Sequence, residues 1–317
     1  MEKTWVSDLQ EGLPVDSTFL VTEKELRPFR DKPENYLALR LADKTGSIVA
    51  KCWEGAEEAA AKIKIGDVVR IIGTVNFYKD NLQIIFTPDH LEAAEGFSMA
   101  DYVAESEFDT EVLVKELTKI ASGFKNEYLK SLVLSFFADM TFTEEFKKKP
   151  ASKFHHHNYV GGLAEHTFAV TFICTHLAKL YTKMDRELLL AAAIIHDCGK
   201  TRVYIHETTI EVTAQGSLID HKVLGLKMVE EKISVIKGFP EELAMKMYHM
   251  ILSHHGEKGD VKPQFPEAEA LYMADFLDSR VQEMIQIIEA EKRKDDRGIW
   301  SEYTKAFGRY LYLGEKE

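Results

Sequence analysis

The hydrophobic period of this chain changes once, and the change divides it into two kinds of structure. Up to about residue 95, apolar side chains alternate with polar ones between clusters of turn residues, the pattern of half-buried strands. The spacing predicts strands over 19–21, 36–41, 47–53, 68–75 and 82–86, with a turn at Asp43-Lys44-Thr45-Gly46. An Ala/Glu-rich helix is expected over 54–63, between the third and fourth strands. From residue 111 the apolar residues recur at helical spacing. Segments 111–122 and 125–138 read as helices, with Phe136, Phe137 and Phe142 as core, and 151–291 continues helical. One irregular stretch, 203–216, alternates like a short hairpin over 203–206 and 209–213. The expected fold is multi-domain, α and β. It has a barrel over 1–95, a helical connector over 96–150, an all-α domain over 151–292 and a peripheral tail over 293–317 that includes Asp295-Asp296-Arg297-Gly298.

One segment of the helical region concentrates chemistry. Residues 188–195 are continuously apolar and run into His196-Asp197, then Cys198-Gly199-Lys200. A carboxylate beside an imidazole at a helix end can serve two cations, because it has two oxygens. His166 precedes the pair; His221, His254-His255 and Asp275 follow it, each on its own expected helix or helix end. Of the 12 histidines, 11 lie between positions 155 and 255, a clustering that solvation does not explain. Ligand-type residues on five segments point to a buried metal site built from facing helices. A mixed imidazole and carboxylate set suits Mn, Fe or Co, whereas an all-oxygen set would suit Mg. Asp278 shares the helix face of Asp275 and is expected to support the ligands. His157 reads as a supporting or substrate-contacting residue, and His90, His176, His206 and His249 as structural. The run Lys147-Lys148-Lys149-Pro150 abuts the histidine segment, as a solvated face or a guide for a polyanion.

Composition sets bounds on this reading. At 317 residues and 45% hydrophobic content the chain can bury two cores. It has no apolar stretch of 18 residues and no apolar run near Met1, so neither a membrane span nor a secretory signal is expected. Cys52, Cys174 and Cys198 are odd in number and far apart, which excludes a disulfide framework and fits a reducing cytoplasm. A net charge of −12 disfavours a simple nucleic-acid binder, although bound cations would add positive charge that this count omits.

His166, His196-Asp197 and Asp275 resemble the H…HD…D pattern of the HD-domain phosphohydrolases, and His221, His254 and His255 resemble the extra ligands of members that hold two metals. The segment from His156 to Thr167, HHNYVGGLAEHT, is similar to the one before the first ligand in the YhaM-type 3′→5′ exoribonucleases, with Ala164 where that family form has leucine. Those proteins place an OB-fold domain ahead of the HD domain. Five strands with a helix between the third and fourth is the OB plan, and "LADKTGSIVAKCW" and "KIGDVVRIIGTVNFYKDNLQI" resemble nucleic-acid-binding OB domains.

The resemblance implies a cytoplasmic, metal-dependent 3′→5′ exoribonuclease in RNA turnover, releasing 5′-nucleotides from single-stranded RNA. It implies two divalent ions per chain, manganese first, with cobalt or iron as alternatives. His166, His196, Asp197 and Asp275 would hold one ion, His221, His254 and His255 the other, and Asp197 would bridge. Asp197 and Lys200 would be catalytic, Lys200 as a point charge on the scissile phosphate; otherwise Lys200 is a helix-terminal lysine favoured by the macrodipole. OB folds bind single strands on the face of strands two and three. Phe29, Tyr36, Trp53, Phe77 and Tyr78 are candidate stacking residues, unless they fill the barrel, with Arg27, Arg30, Arg40, Lys51 and Lys79 near them. Arg27-Pro28-Phe29-Arg30 is expected in a loop. Single-stranded DNA is an alternative partner, and self-association into a homo-oligomer is left open. The alternatives in function are an HD-domain nucleotide or cyclic-dinucleotide phosphodiesterase and a non-catalytic single-strand-binding protein. A strand-binding barrel argues against the first, and the intact ligand set against the second.

Overall fold

The computed structural model describes residues 3–29, 32–78, 81–98, 101–103, 105–153, 156–206, 210–292 and 298–315. Arg30, Lys79, His155, residues 207–209 of the expected hairpin and 295–297 of the tail lie outside the described residues. The chain forms two compact units, 1–105 with 206–209, and 106–205 with 210–317.

The first unit is a closed barrel. Strands β1 (Pro14–Pro28), β2 (Asn35–Asp43), β3 (Gly46–Cys52), β4 (Val68–Tyr78) and β5 (Asn81–Ala93) pair in the order β1-β2-β3-β5-β4. Only the β3–β5 pairing is parallel among the described strands of the barrel, as the OB plan requires. β1 closes the barrel by serving two neighbours. Pro14–Leu20 pairs with β4, Leu20–Pro28 pairs with β2, and a bulge between Val21 and Glu23 redirects the strand. The sequence pattern cut this strand to 19–21 and placed Arg27 and Pro28 in a loop. Both lie on β1. Its second half is exposed on both faces, so it carries no apolar alternation, and Pro28 is tolerated at the last position of the strand.

Period-two alternation decides which side chains the barrel offers outward. Leu37, Leu39 and Leu41 of β2 and Ile48, Ala50 and Cys52 of β3 fill the core, so Tyr36, Ala38 and Arg40, and Val49 and Lys51, point out. Helix α1 (Ala56–Lys62) packs on this core through Ala56, Ala59 and Ala60. Lys24 Nζ donates to the carbonyls of Ala60 and Ile63 at its C-terminus, where a cation complements the helix dipole.

The second unit is helical: α2 (Thr110–Ser122), α3 (Glu127–Phe137), α4 (Met140–Lys148), α5 (Gly162–Leu180), α6 (Arg186–Ile195), α7 (Lys200–Val203), α8 (Ala214–Ile219), α9 (His221–Ser234), α10 (Glu241–Ser253) and α11 (Pro266–Lys292). A short hairpin, β6 (Tyr204–His206) and β7 (Ile210–Val212), interrupts them. Asp109, Asn126, Asp139 and Asp185 each accept a first-turn N–H through their side chains, which supplies the capping that these helices need. α2, α3 and α4 share one core with α5, α6, α9, α10 and α11. α6 is its axis, with every residue from Leu188 to Ile195 buried, as expected of a helix apolar all round. That centrality is what carries His196 and Asp197 into the interior. The run Lys147-Lys148-Lys149 is not a free basic guide: Lys147 pairs with Glu111 and Glu144, Lys148 with Glu144 and Lys149 with Glu145.

Candidate metal centre

α6 ends at Ile195, and the turn His196-Asp197-Cys198-Gly199 presents its side chains before α7 begins. Gly199 is where α9 crosses this turn. A Cβ there would lie 2.0 Å from the His221 carbonyl oxygen and 2.6 Å from Gly225 N, so only glycine lets His221 come this close to Asp197. α5 brings His166, the end of α10 brings His254 and His255, and α11 brings Asp275 and Asp278.

Asp197 stands between two groups of imidazoles. Its Oδ2 is 3.4 Å from His166 Nε2 and 3.4 Å from His196 Nε2. Its Oδ1 is 3.7 Å from His221 Nε2 and 3.6 Å from His254 Nε2. Asp275 Oδ1 joins the first group at 3.2 Å from His166 Nε2, and the His166 and His196 Nε2 atoms are 3.3 Å apart. His255 joins the second, where His221, His254 and His255 place one ring nitrogen each within 4.8 Å of one another. The structure therefore gathers all seven residues expected as ligands.

The donor chemistry fits cations at both groups. His166 Nδ1 lies 2.7 Å from Asp278 Oδ2, His196 Nδ1 lies 2.9 Å from Ala193 O, and His254 Nδ1 lies 2.6 Å from Ile251 O. Each acceptor assigns a proton to Nδ1 and turns Nε2 toward the centre, the arrangement that supporting partners give to metal-binding histidines. At His166 burial is outweighed by the carboxylates of Asp197, Asp275 and Asp278, which raise its pKa well above the usual value, so a cation would displace a proton from Nε2. His221 Nδ1 likewise lies 3.1 Å from Asp220 Oδ1. The Nε2 atoms and the carboxylate oxygens then converge, with Lys200 Nζ 2.6 Å from Asp197 Oδ2. Both oxygens of Asp197 and the Nε2 atoms of His221 and His254 are buried without a hydrogen-bond partner among the described protein atoms. Leaving such groups unmet costs about 1–3 kcal/mol each. Donors about 2.1 Å from a cation are spaced roughly 3.0–3.4 Å apart, which matches the edges of the first group.

Lys200 is buried, with Nζ 2.6 Å from Asp197 Oδ2, an ion pair outside hydrogen-bond geometry. Burial alone would lower its pKa, but the Asp197 carboxylate outweighs it and the ammonium is held charged. Burial likewise pushes the Asp197 carboxyl up, yet the Lys200 ammonium leads the charges that hold it well below the usual carboxylate range. His255, desolvated beside His254, is pushed down to about 4, so its ring is neutral and able to ligate at neutral pH.

Several supporting residues escaped the sequence pattern. Asp220 anchors His221 and caps α9 from a left-handed backbone, φ 73°; an acid just before a helix-starting histidine was the signal. His156 lies beside His166, with Nε2 3.0 Å from Ser279 Oγ, and desolvation drives it down to about 3. Tyr159 and Glu165 contact His157.

On the barrel, Phe29, Tyr36 and Trp53 form one cluster with centroids 5.3, 5.8 and 4.9 Å apart. Lys51 Nζ lies 5.0 Å from the Trp53 ring and 5.1 Å from that of Tyr78. Trp53 is 37% exposed, Phe77 52% and Tyr78 53%, so none of the three is barrel core. Phe77 precedes Tyr78 on β4 and projects to the opposite face, away from the cluster. Arg27 and Arg40 are held by Glu25 and Glu23.

Residues 163–280 match the family model for the HD domain, and residues 20–87 match that for the tRNA anti-codon type of OB-fold nucleic acid binding domain. Over 299 residues the chain is 28% identical to the protein named 3'-5' exoribonuclease YhaM of Listeria monocytogenes serotype 4b, covering 92% of this chain and 93% of the relative. The protein of that name from Bacillus subtilis is 26% identical over 285 residues, 89% of this chain and 90% of the relative. That from Halalkalibacterium halodurans is 28% identical over 301 residues, 94% of this chain and 92% of the relative. Among the described residues no helix is long and apolar enough to cross a membrane.

Proposed function

We propose, on the premise that this chain is a homologue of the YhaM exoribonucleases with an OB-fold domain followed by an HD domain, that it is a metal-dependent 3′→5′ exoribonuclease. Its substrate is single-stranded RNA, its products are 5′-nucleotides, and its role is RNA turnover in the cytoplasm. The observation that carries this reading is Asp197, whose two buried oxygens each face the Nε2 atoms of a separate pair of histidines.

His166, His196, Asp197 and Asp275 would hold one divalent cation, and Asp197, His221, His254 and His255 a second. Manganese suits this mixed donor set, with cobalt or iron as substitutes. When bound, the two cations supply Lewis acidity toward the phosphoryl oxygens and acidify water. Lys200 contributes a compact positive charge beside Asp197, which favours the phosphoryl charge of the transition state. The Nδ1 partners of the four anchored histidines hold their rings in place, so the site does not reorganise as charge develops.

The barrel supplies the strand grip. Phe29, Tyr36 and Trp53 offer ring faces only to unpaired bases, and Lys51 adds charge beside them. A neutralised arginine pair and a net charge of −12 favour stacking over tight phosphate binding, which suits an enzyme that must release its polymer at each step. A time course on RNA labelled at either end, with Mn, Co or Mg, tests the reading. The 3′ label should leave at once as a mononucleotide while 5′-labelled RNA shortens stepwise, fastest with Mn. Internal cuts, or release from the 5′ end, would refute it.

A further inference from the structure

His157 is the most constrained residue near the centre that the ligand set does not use. It is buried, and its backbone is left-handed at φ 48°, a conformation unfavourable for most non-glycine residues and kept only where the surroundings enforce it. They do so here from both sides. Its carbonyl accepts from Ala151 N at 3.0 Å, and a Cβ on Gly162 would lie 2.1 Å from that same oxygen. What this backbone achieves is the aim of the imidazole. His157 Nε2 is 3.0 Å from Asp278 Oδ2, and that oxygen is 2.7 Å from His166 Nδ1. On its other side His157 Nδ1 lies 2.8 Å from the Tyr159 hydroxyl, which Gln282 Nε2 approaches at 3.3 Å. Gln282 is one turn beyond Asp278 on α11, so a single helix holds both ends of the chain.

We propose that Tyr159, His157 and Asp278 are positioning residues that lock the ring of His166 through its Nδ1, and so set the affinity of one of the two cation positions. The inference rests on the metal-centre reading above. The Tyr159 hydroxyl bonds to His157 Nδ1, with the Glu165 carboxylate 3.6 Å from the same nitrogen, His157 Nε2–H donates to Asp278, and Asp278 accepts from His166 Nδ1–H as its second donor. The carboxylate is thereby held by two rings and holds His166 Nε2 toward Asp197 and Asp275. His157, His166 and Asp278 also place one ligand atom each within 4.8 Å of one another, so a third cation is the competing reading. It is disfavoured because His166 would have to shed its Nδ1 proton as well as ligate through Nε2. His157 Nδ1 is also already engaged by a hydroxyl.

The test is equilibrium dialysis of the full chain against Mn, which reports metal affinity whether or not RNA is cut. Its failure is therefore distinguishable from failure of the exoribonuclease assignment. Three variants suffice. Asp278→Asn keeps the shape but removes the negative charge that strengthens both hydrogen bonds; His157→Asn removes the ring with a residue at ease at positive φ; Tyr159→Phe deletes one hydroxyl and should fold as the parent does. Asp278→Asn should weaken one of two Mn positions by about 10–100-fold and spare the other. His157→Asn should follow, and Tyr159→Phe should show the smallest loss, with the melting temperature of its metal-free form unchanged. Affinities within about twofold of the parent in both Asp278→Asn and His157→Asn would overturn the proposal. So would a third Mn in the parent that His157→Asn removes.

Discussion

The barrel and the helical unit both present groups suited to an anionic polymer, and they do so by opposite means. The barrel leaves aromatic rings in water: Trp53, Phe77 and Tyr78 stay exposed although each could have been core. The helical unit takes polar atoms out of water without giving them a hydrogen bond among the described residues, as at Asp197, His221 and His254. A stacking surface tolerates this exposure because each ring gains only when a base arrives, by about 1–3 kcal/mol. A buried convergence of lone pairs is stable only when something positive fills it. Disturbing the first should therefore change affinity gradually, and disturbing the second should change activity abruptly.

The largest effect is expected at Asp197. Asp197→Ala removes the one residue that faces both groups, so hydrolysis should fall to background while helical circular dichroism is retained; substantial activity with full metal content would break the binuclear reading. Lys200 opens α7 rather than closing a helix, so the macrodipole does not favour it there. Lys200→Ala should lower kcat by about 10²–10³ and leave metal content and RNA affinity near the parent, whereas a lysine that only neutralises the buried Asp197 carboxylate would cost about 3–5 kcal/mol of stability and no rate. Single-turnover kinetics with a melting curve separates the two. Chelation should destabilise the helical unit, because an ion at 100 times its dissociation constant contributes about 2.7 kcal/mol to folding; a melting temperature indifferent to chelator would count against resident cations.

On the barrel the effects should be smaller and additive in kind. Trp53→Ala should weaken single-stranded RNA binding by about 1–3 kcal/mol with kcat unchanged at saturating RNA. Phe77→Ala, on the opposite face, should do less, and equal losses would blur the contrast between the two faces. The smallest effect concerns Asp16, which accepts from Arg70 Nε and Nη2 at 2.7 Å each. The hydrogen bond from Arg70 holds its carboxyl below the usual range against the opposing effect of burial. A lowered folded pKa contributes stability above the unfolded value near 3.9 and loses it as pH falls through the folded one. The pair is about a third exposed, so Asp16→Asn should cost roughly 0.2–1 kcal/mol at neutral pH. In urea melts that difference should vanish in acid.

Alternation gave the barrel away because each strand core is a period-two run, and it failed on β1 where both faces are wet. The residues of the metal centre were legible by type and by segment, since a helix apolar all round can only be central and its end must then lie inside. The supporting chain was less so. His157 and Asp278 are separated by 121 positions, and nothing local announces that α11 returns beside the loop before α5. The spent charge of Lys147 and of Arg27 was equally hidden, because their partners depend on packing rather than on motif.

The most direct measurement is an anomalous-difference map at the manganese edge from crystals equilibrated with Mn. Two peaks about 3.5–4 Å apart on either side of the Asp197 carboxylate are predicted, one beside His166 and His196 and the other beside His221 and His254. A single peak, or a pair that Asp197 does not bridge, would contradict the account.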